Sequence, residues 1–259
     1  SLLTAFYLYK QYSNIKCYII SPNFKTFHCT YGLFIDQIKN TWIYKYFDKS
    51  KLFINTLNIS LNFYSNNDLN LSNKYCIINN TYLFDTIMDF LKTTNIEFIT
   101  GHVYDIIKES NKYNVLFQKN SFYYKNLYCD FVIQATGNQI IGQPHINDDL
   151  YYQYFVGYKI YVEDKHHFKT CILLNWNKVD NNETVKSFCY VLPYDNKNVL
   201  IEETILSTNK DENYYNILEN RLKQRIKNYN LNKYYILEKE IYKIPLNKPI
   251  QNKENYINS

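Results

Sequence analysis

The chain has 259 residues, a formal net charge of +5 and 46% hydrophobic residues. That length supports one large domain or two modest ones with a substantial core, and the hydrophobic share excludes wholesale disorder. The charge is spread along the chain instead of forming a stripe, which argues against nucleic-acid binding and leaves only a weak attraction to an anionic membrane surface.

The chain carries 29 Tyr and 16 Phe against 5 Gly and 5 Pro, a bias that A/T-rich coding explains, so no tyrosine is a signal merely for being one. Arginine occurs only at Arg221 and Arg225. No apolar run approaches the ~18 residues that span a bilayer. The six cysteines lie far apart without a CxxC pair, which favours reduced thiols over a disulfide framework. His166 and His167 are adjacent, a spacing that suits a polar turn better than a metal, and no metal site is expected.

Taken in order, "LLTAFYLYKQYSN" reads as a helix with Leu2, Phe6, Tyr9 and Tyr12 near one face, followed by a short buried strand, "IKCYIIS", before Pro22. Helix then strand is the second half of a βαβ unit, whose first strand and glycine turn would precede Ser1. "DQIKNTWIYKYF" has helical spacing with Ile38, Trp42 and Ile43 inward, and "LFINTLNISLNFY" alternates as a half-exposed strand or hairpin. "YLFDTIMDFLKTTN" is an amphipathic helix leading into the strand "IEFIT". "VYDIIKES", "YNVLFQ" and "SFYYKN" form a small antiparallel meander, and "CDFVIQATGN" is a buried strand, Phe131-Val132-Ile133, ending at Ala135-Thr136-Gly137.

From residue 151 the pattern changes to strands at roughly 15-residue spacing, which predicts an antiparallel sheet. "DENYYNILENRLKQRIKNYN" is the strongest helix, with Tyr214, Leu218, Leu222 and Ile226 on one stripe, and "KYYILEKEIYKIPL" is a final strand. The expected fold class is α/β plus α+β. A partial Rossmann-like, dinucleotide-binding part occupies 1–150, a mostly antiparallel substrate part 151–243, and 244–259 returns toward the first. Two-domain flavoproteins have this arrangement, with the cofactor on the first part and a substrate cavity under the second.

"NVLIEETILS" sets Glu202 beside Glu203 in a β-branched and aliphatic run. Neighbouring side chains on a strand face opposite ways, so at least one of these acids is held in a poorly hydrated place. Desolvation disfavours the charged carboxylate and so makes a proton donor. Alternation lets only one reach a given cavity, and Glu202 is the first candidate with Glu203 second.

Several segments, collinear over nearly the whole chain, are similar to the lycopene cyclase family. "LIEET" resembles its FLEET motif, and "FCYVLPY" its aromatic-x-Tyr-x-x-Pro-aromatic strand. "PNFKTFHCTYGLFIDQ" retains Pro22, Asn23, Tyr31, Gly32 and Asp36 of another stretch. "FVIQATG", "NWNKVDNN" and "IPLNKPI" resemble three more. The chain departs from the pattern at Ser21, Phe34, Asn80 and Gln134, where the family has an acid, Trp, Arg and Asp, and the dinucleotide fingerprint would lie before Ser1.

The resemblance implies acid-catalysed, non-redox cyclisation of a linear, lipophilic carotenoid end group. It further implies reduced FAD as cofactor with NADPH as its reductant, and a plastid protein peripheral to a membrane. On that basis Glu202, Glu203 and Asp36 are candidate catalytic groups. Tyr31, Gly32, Thr136 and Gly137 are candidate cofactor contacts, and Tyr190, Tyr194 and Trp176 line the substrate cavity. The alternatives are an FAD-dependent monooxygenase or isoprenoid reductase-like redox enzyme, and a family member without catalysis.

Overall fold

The computed structural model describes residues 2–12, 14–27, 29–62, 68–120, 123–136, 141, 151–180, 185–209 and 212–246. In chain order the elements are α1 (Leu2–Gln11), β1 (Tyr18–Ser21), β2 (Gly32–Phe34), α2 (Ile35–Lys39), α3 (Trp42–Tyr46), α4 (Lys49–Leu52), β3 (Phe53–Asn62) and β4 (Asp68–Ile78). There follow α5 (Asn80–Lys92), β5 (Glu97–Thr100), β6 (His102–Glu109), β7 (Lys112–Asn120) and β8 (Tyr123–Cys129). The last are β9 (Tyr152–Val162), β10 (Cys171–Asn175), β11 (Phe188–Pro193), β12 (Asn198–Thr208), α6 (Tyr215–Asn228) and β13 (Tyr234–Pro245). The mixed α/β and mostly β composition agrees with the expected α/β plus α+β class.

Two compact units form, one from 1–28, 80–147 and 248–259, the other from 29–79 and 148–247. The breaks at 147/148 and 247/248 lie near the expected 150 and 244, whereas residues 29–79, expected in the first part, belong to the second because they pair with its strands. In the first unit β1 and β5 pair in parallel, as a βαβ remnant requires, and β6, β7 and β8 form the expected meander. Helix α1 packs on α5 through Phe6 and Phe90, whose ring centroids lie 4.9 Å apart. Phe131 and Ile133, expected in a buried strand, are exposed and carry no regular structure. An apolar triplet alone does not pair with a sheet.

The second unit is an eight-stranded sheet in the order β13-β9-β12-β11-β10-β3-β4-β2. All its pairings are antiparallel except β10 with β3. The single helix expected over "DQIKNTWIYKYF" is two short ones, α2 and α3. Thr41 ends the first by donating its hydroxyl to the Ile38 carbonyl at 2.7 Å, which competes with helix propagation. Ile38 is buried as expected, whereas Trp42 and Ile43 are only half-buried.

Helix α6 lays its stripe on β9 and β12, burying Tyr214, Leu218, Leu222 and Ile226 against Val156, Tyr158, Ile201 and Ile205. Each fully buried aliphatic contributes about 1.5–3 kcal/mol. The opposite sheet face carries a second core of Ile59, Ile77, Leu173, Leu192, Tyr194 and Leu200. Among the described residues no helix is long and apolar enough to cross a membrane, and no group of three or more His, Cys, Asp or Glu side chains could hold a metal. The six cysteines are free.

Candidate active site

Strand β12 lies between β9 and β11, so both its edges are paired, and alternation sends its two glutamates to opposite faces of the sheet. Glu203 points to the α6 face and is fully buried. There it meets Arg225, whose Nε donates to Oε2 at 3.0 Å, and Ser187, whose hydroxyl donates to Oε1 at 2.6 Å. Arg221 continues the network, donating to Ser187 Oγ at 2.7 Å and holding Asp180 with two bonds of 2.7 and 2.9 Å. Both arginines of the chain are committed here, one α-helical turn apart. Glu203, the second candidate for proton donor, is thereby corrected to an ion-paired structural group.

Glu202 points to the other face, beside Leu200 and Thr204. Its neighbours follow from the strand register: Tyr190 on β11 is opposite Glu202, Glu202 is opposite Gly157 on β9, and Gly157 is opposite Glu240 on β13. One row therefore reads Tyr190, Glu202, Gly157, Glu240 across four strands. The adjoining row reads Phe188, Thr204, Phe155, Tyr242, and is aromatic but for Thr204. Trp176 meets Phe188 at a tilt with ring centroids 4.8 Å apart, and Phe188 meets Tyr190 edge-on at 5.0 Å.

The two outer edges of the sheet are tied together on this side. Thr30, just before β2, donates its backbone N–H to both Glu240 oxygens at 3.2 Å and its hydroxyl to Oε1 at 2.6 Å. With the Thr30 proton so used, the Tyr194 hydroxyl donates to Thr30 Oγ1 at 2.6 Å. Glu240 is 3% exposed. Sequence reasoning missed it, although strand alternation in "LEKEIYK" sends Glu238, Glu240 and Tyr242 to one face.

The electrostatics of this face favour a protonated acid. Burial pushes the Glu202 carboxyl up to about 7; the Thr204 hydroxyl, donating at 2.8 Å, opposes the rise, and the charge of Glu240 adds to it. Burial also raises Glu240, against the pull of its Thr30 donors and the Lys159 ammonium. The hydroxyls of Tyr75, Tyr190 and Tyr194 are pushed up by burial, with Glu202 contributing to each.

Of the remaining candidates, Tyr190, Tyr194 and Trp176 belong to this same face. Asp36 does not. It is exposed at the start of α2, bonded to Lys39 at 3.1 Å and Asn73 at 3.2 Å, and the Lys39 contact holds its carboxyl below the usual range. An exposed carboxylate with a lowered proton affinity is unsuited to donate a proton, so Asp36 is corrected to a surface group.

The cofactor contacts fare differently. Tyr31 is 47% exposed, and its carbonyl accepts the Ile78 N–H at 2.9 Å. A Cβ on Gly32 would sit 2.3 Å from the Tyr75 ring, so the missing side chain makes room for Tyr75 and leaves no free approach for a cofactor. Thr136 is exposed, and Gly137 lies outside the described residues. Ser21, at the end of β1, turns its hydroxyl onto the Asn23 carbonyl at 2.5 Å. Tyr31, Gly32 and Thr136 thus form no flavin cradle, and no chemical step is routed through one. Gly32→Ala should destabilise the second unit by about 1–3 kcal/mol through overpacking against Tyr75. Urea unfolding checks this, and an unchanged midpoint would show that the ring moves aside freely.

The family model described as "Lycopene cyclase protein" matches residues 41–256. Solved structures with a similar fold include p-nitrophenol 4-monooxygenase PnpA from Pseudomonas putida, at a TM-score of 0.65 and 11% identity, covering 94% of this chain and 64% of that one. A flavoprotein/dehydrogenase from Cytophaga hutchinsonii gives 0.60 and 13%, covering 96% and 70%. The peptidyl tryptophan dihydroxylase QhpG gives 0.59 and 9%, covering 94% and 53%. The chain thus spans about half to two thirds of the length of PnpA and QhpG. At these identities the likeness establishes a shared fold. A comparison with curated protein sequences finds no match.

Proposed function

The chain belongs to the lycopene cyclase family, and on that premise we propose that it closes a ring at the end of a linear carotenoid by proton transfer, with Glu202 as the acid. The observation that carries this reading is a single one. Of two adjacent glutamates, Glu203 is consumed by Arg225, while Glu202 faces an aromatic-lined surface with its proton affinity raised by burial.

The chemistry balances without redox change. The Glu202 O–H bond breaks as a C–H bond forms at the terminal alkene, and the resulting carbocation is attacked by a second alkene to close the ring. A different C–H bond then breaks, its electron pair becomes the new ring alkene, and its proton returns to a carboxylate. Thr204 orients Glu202 by donating to Oε1, which leaves Oε2 to carry the proton. Phe188, Tyr190 and Trp176 offer ring faces to the cation, worth on the order of 0.5–2 kcal/mol each.

Reduced FAD, with NADPH as its reductant, is the cofactor this family implies, and it belongs to the proposal without a step assigned to it. A lipophilic substrate and the family together propose a location at a membrane surface in a plastid.

Assaying the full-length protein against lycopene over a pH series tests the reading. An acid with a raised pKa works only while protonated, so ring formation should be maximal below pH 7 and fall about tenfold per unit above it. NADPH should not be consumed in proportion to product. Stoichiometric NADPH consumption, or a linear product, would assign the chain to redox chemistry of the monooxygenase or reductase kind instead.

A further inference from the structure

We propose that Glu240 is a positioning residue for the acid site: its anchored, buried carboxylate stands in one row with Glu202 across Gly157 and adds to burial in keeping the proton on Glu202. The inference rests on the cyclase reading for its purpose, but its physical content is a coupling between two acids that holds or fails independently of any activity.

The geometry begins with the register. Glu202 and Glu240 both stand opposite Gly157, on strands flanking β9, so their Cα atoms lie two strand spacings apart, roughly 10 Å. A side chain on β9 would press on Glu202; glycine lets the Glu202 side chain lie close over β9, toward the strand that carries Glu240. A Cβ built there would lie 3.3–3.4 Å from Leu200 Cδ1 and from Cβ and Cγ of Glu202. A glycine inside a strand weakens it and often marks a site of close approach. Here the close approach is that of the Glu202 side chain, in the same row as Glu240.

The anchoring differs between the two acids. Glu240 receives the Thr30 N–H on both oxygens and the Thr30 hydroxyl on Oε1, and these donors favour the ionised form. Among the described residues, Glu202 receives the Thr204 hydroxyl alone. Two like charges in a poorly hydrated place cannot both be retained, so the less well solvated acid holds the proton. Environments that push two acids apart assign their roles. Glu240 is the anion and Glu202 the acid.

Other charged or titratable groups face the pair. Lys159 on β9 lies over the Tyr194 ring at 4.7 Å and favours the charged form of Glu240, whereas Glu238 on β13 opposes it. Tyr190 on β11, Tyr194 beyond it and Tyr75 on β4 surround Glu202, and all three phenols are raised by burial. Cys29 and Tyr242 lie beside Glu240, each shifted upward, so they stay neutral where the glutamates titrate. Within this set Lys159 is the cation, and its charge favours the anion of Glu240.

The test is a carboxyl titration of the full-length protein labelled with ¹³C at the glutamate carboxyls. Wild type should show one midpoint near 7, assigned to Glu202 by its loss in Glu202→Gln. In Glu240→Gln that midpoint should fall by about one pH unit or more. Thr30→Ala, which removes a donor from Glu240, should move it the same way by less, and serves if the first variant does not fold. Glu240→Asp keeps the charge and should keep the midpoint within a few tenths. An unmoved midpoint in Glu240→Gln, or in Thr30→Ala where Glu240→Gln is unfolded, overturns the proposal. Because the titration needs no substrate, absence of ring formation would count against the cyclase reading alone. Where rings do form, the upper pH limb should shift by the same amount in Glu240→Gln, a change that a purely structural defect would not produce.

Discussion

Replacing Glu202 by Gln should lower ring formation by at least about 100-fold, the ordinary contribution of a placed general acid, with the fold intact. The substitution is nearly isosteric, and its amide oxygen can still accept from Thr204 at Oε1. What it lacks is an acidic proton. It also removes a half-buried acid whose charged form is disfavoured, so stability at neutral pH should be unchanged or slightly higher. Asp36→Asn is the matched control: that exposed carboxylate pairs with Lys39 at the surface, and its loss should change the rate less than twofold. Product analysis in cells accumulating lycopene, with thermal melts of the purified variants, reads both effects. Near-wild-type cyclic product from Glu202→Gln would remove that residue from the mechanism.

The adjacent acid should respond in the opposite way. Arg225→Met should destabilise the second unit by about 3–5 kcal/mol, because Glu203 would keep a fully buried charge without its partner. That is a large part of the 5–15 kcal/mol a domain has available. The double variant Glu203→Leu/Arg225→Met should recover most of the loss, since a buried ion pair exchanged for apolar side chains of similar volume is often neutral or stabilising. Arg225→Lys should not rescue the single change, because an ammonium cannot place one fork on both Glu203 and the Asn175 carbonyl, which Arg225 Nη2 reaches at 3.3 Å. Denaturant unfolding of the three variants checks this. If the double variant folds and still forms rings, Glu203 has no part in the chemistry; if it folds and is inactive, the separation of the two glutamates is wrong.

How far the sequence predicts these roles depends on whether the deciding contact is local. The alternation in "LIEET" and the stripe of α6 are local, and both the splitting of the two glutamates and the burial of Leu218, Leu222 and Ile226 follow from them. Strand β4 was not legible, because "DLNLSNKYCII" mixes polar residues into a strand whose first half is largely exposed. The shortness of β2 hid it as well. Losing those two strands misplaced residues 29–79 and, with them, Thr30. Glu240 could not be found from its own neighbourhood: its meaning comes from standing in register with Gly157 and Glu202, and register between distant strands is a tertiary fact. The one available hint was a glycine inside "YFVGYKIYV", an otherwise ideal strand. Gly32 is the opposite case: a candidate cofactor contact by its place in a motif, it makes room for Tyr75.

Ring formation from lycopene in deuterated water is the most direct test of a proton delivered by a protonated glutamate. Each ring closed should carry one solvent-derived deuterium at the carbon that was protonated, with NADPH not consumed in proportion and with the incorporation abolished in Glu202→Gln. Cyclic product without deuterium, or equal incorporation in the Gln variant, would contradict the account.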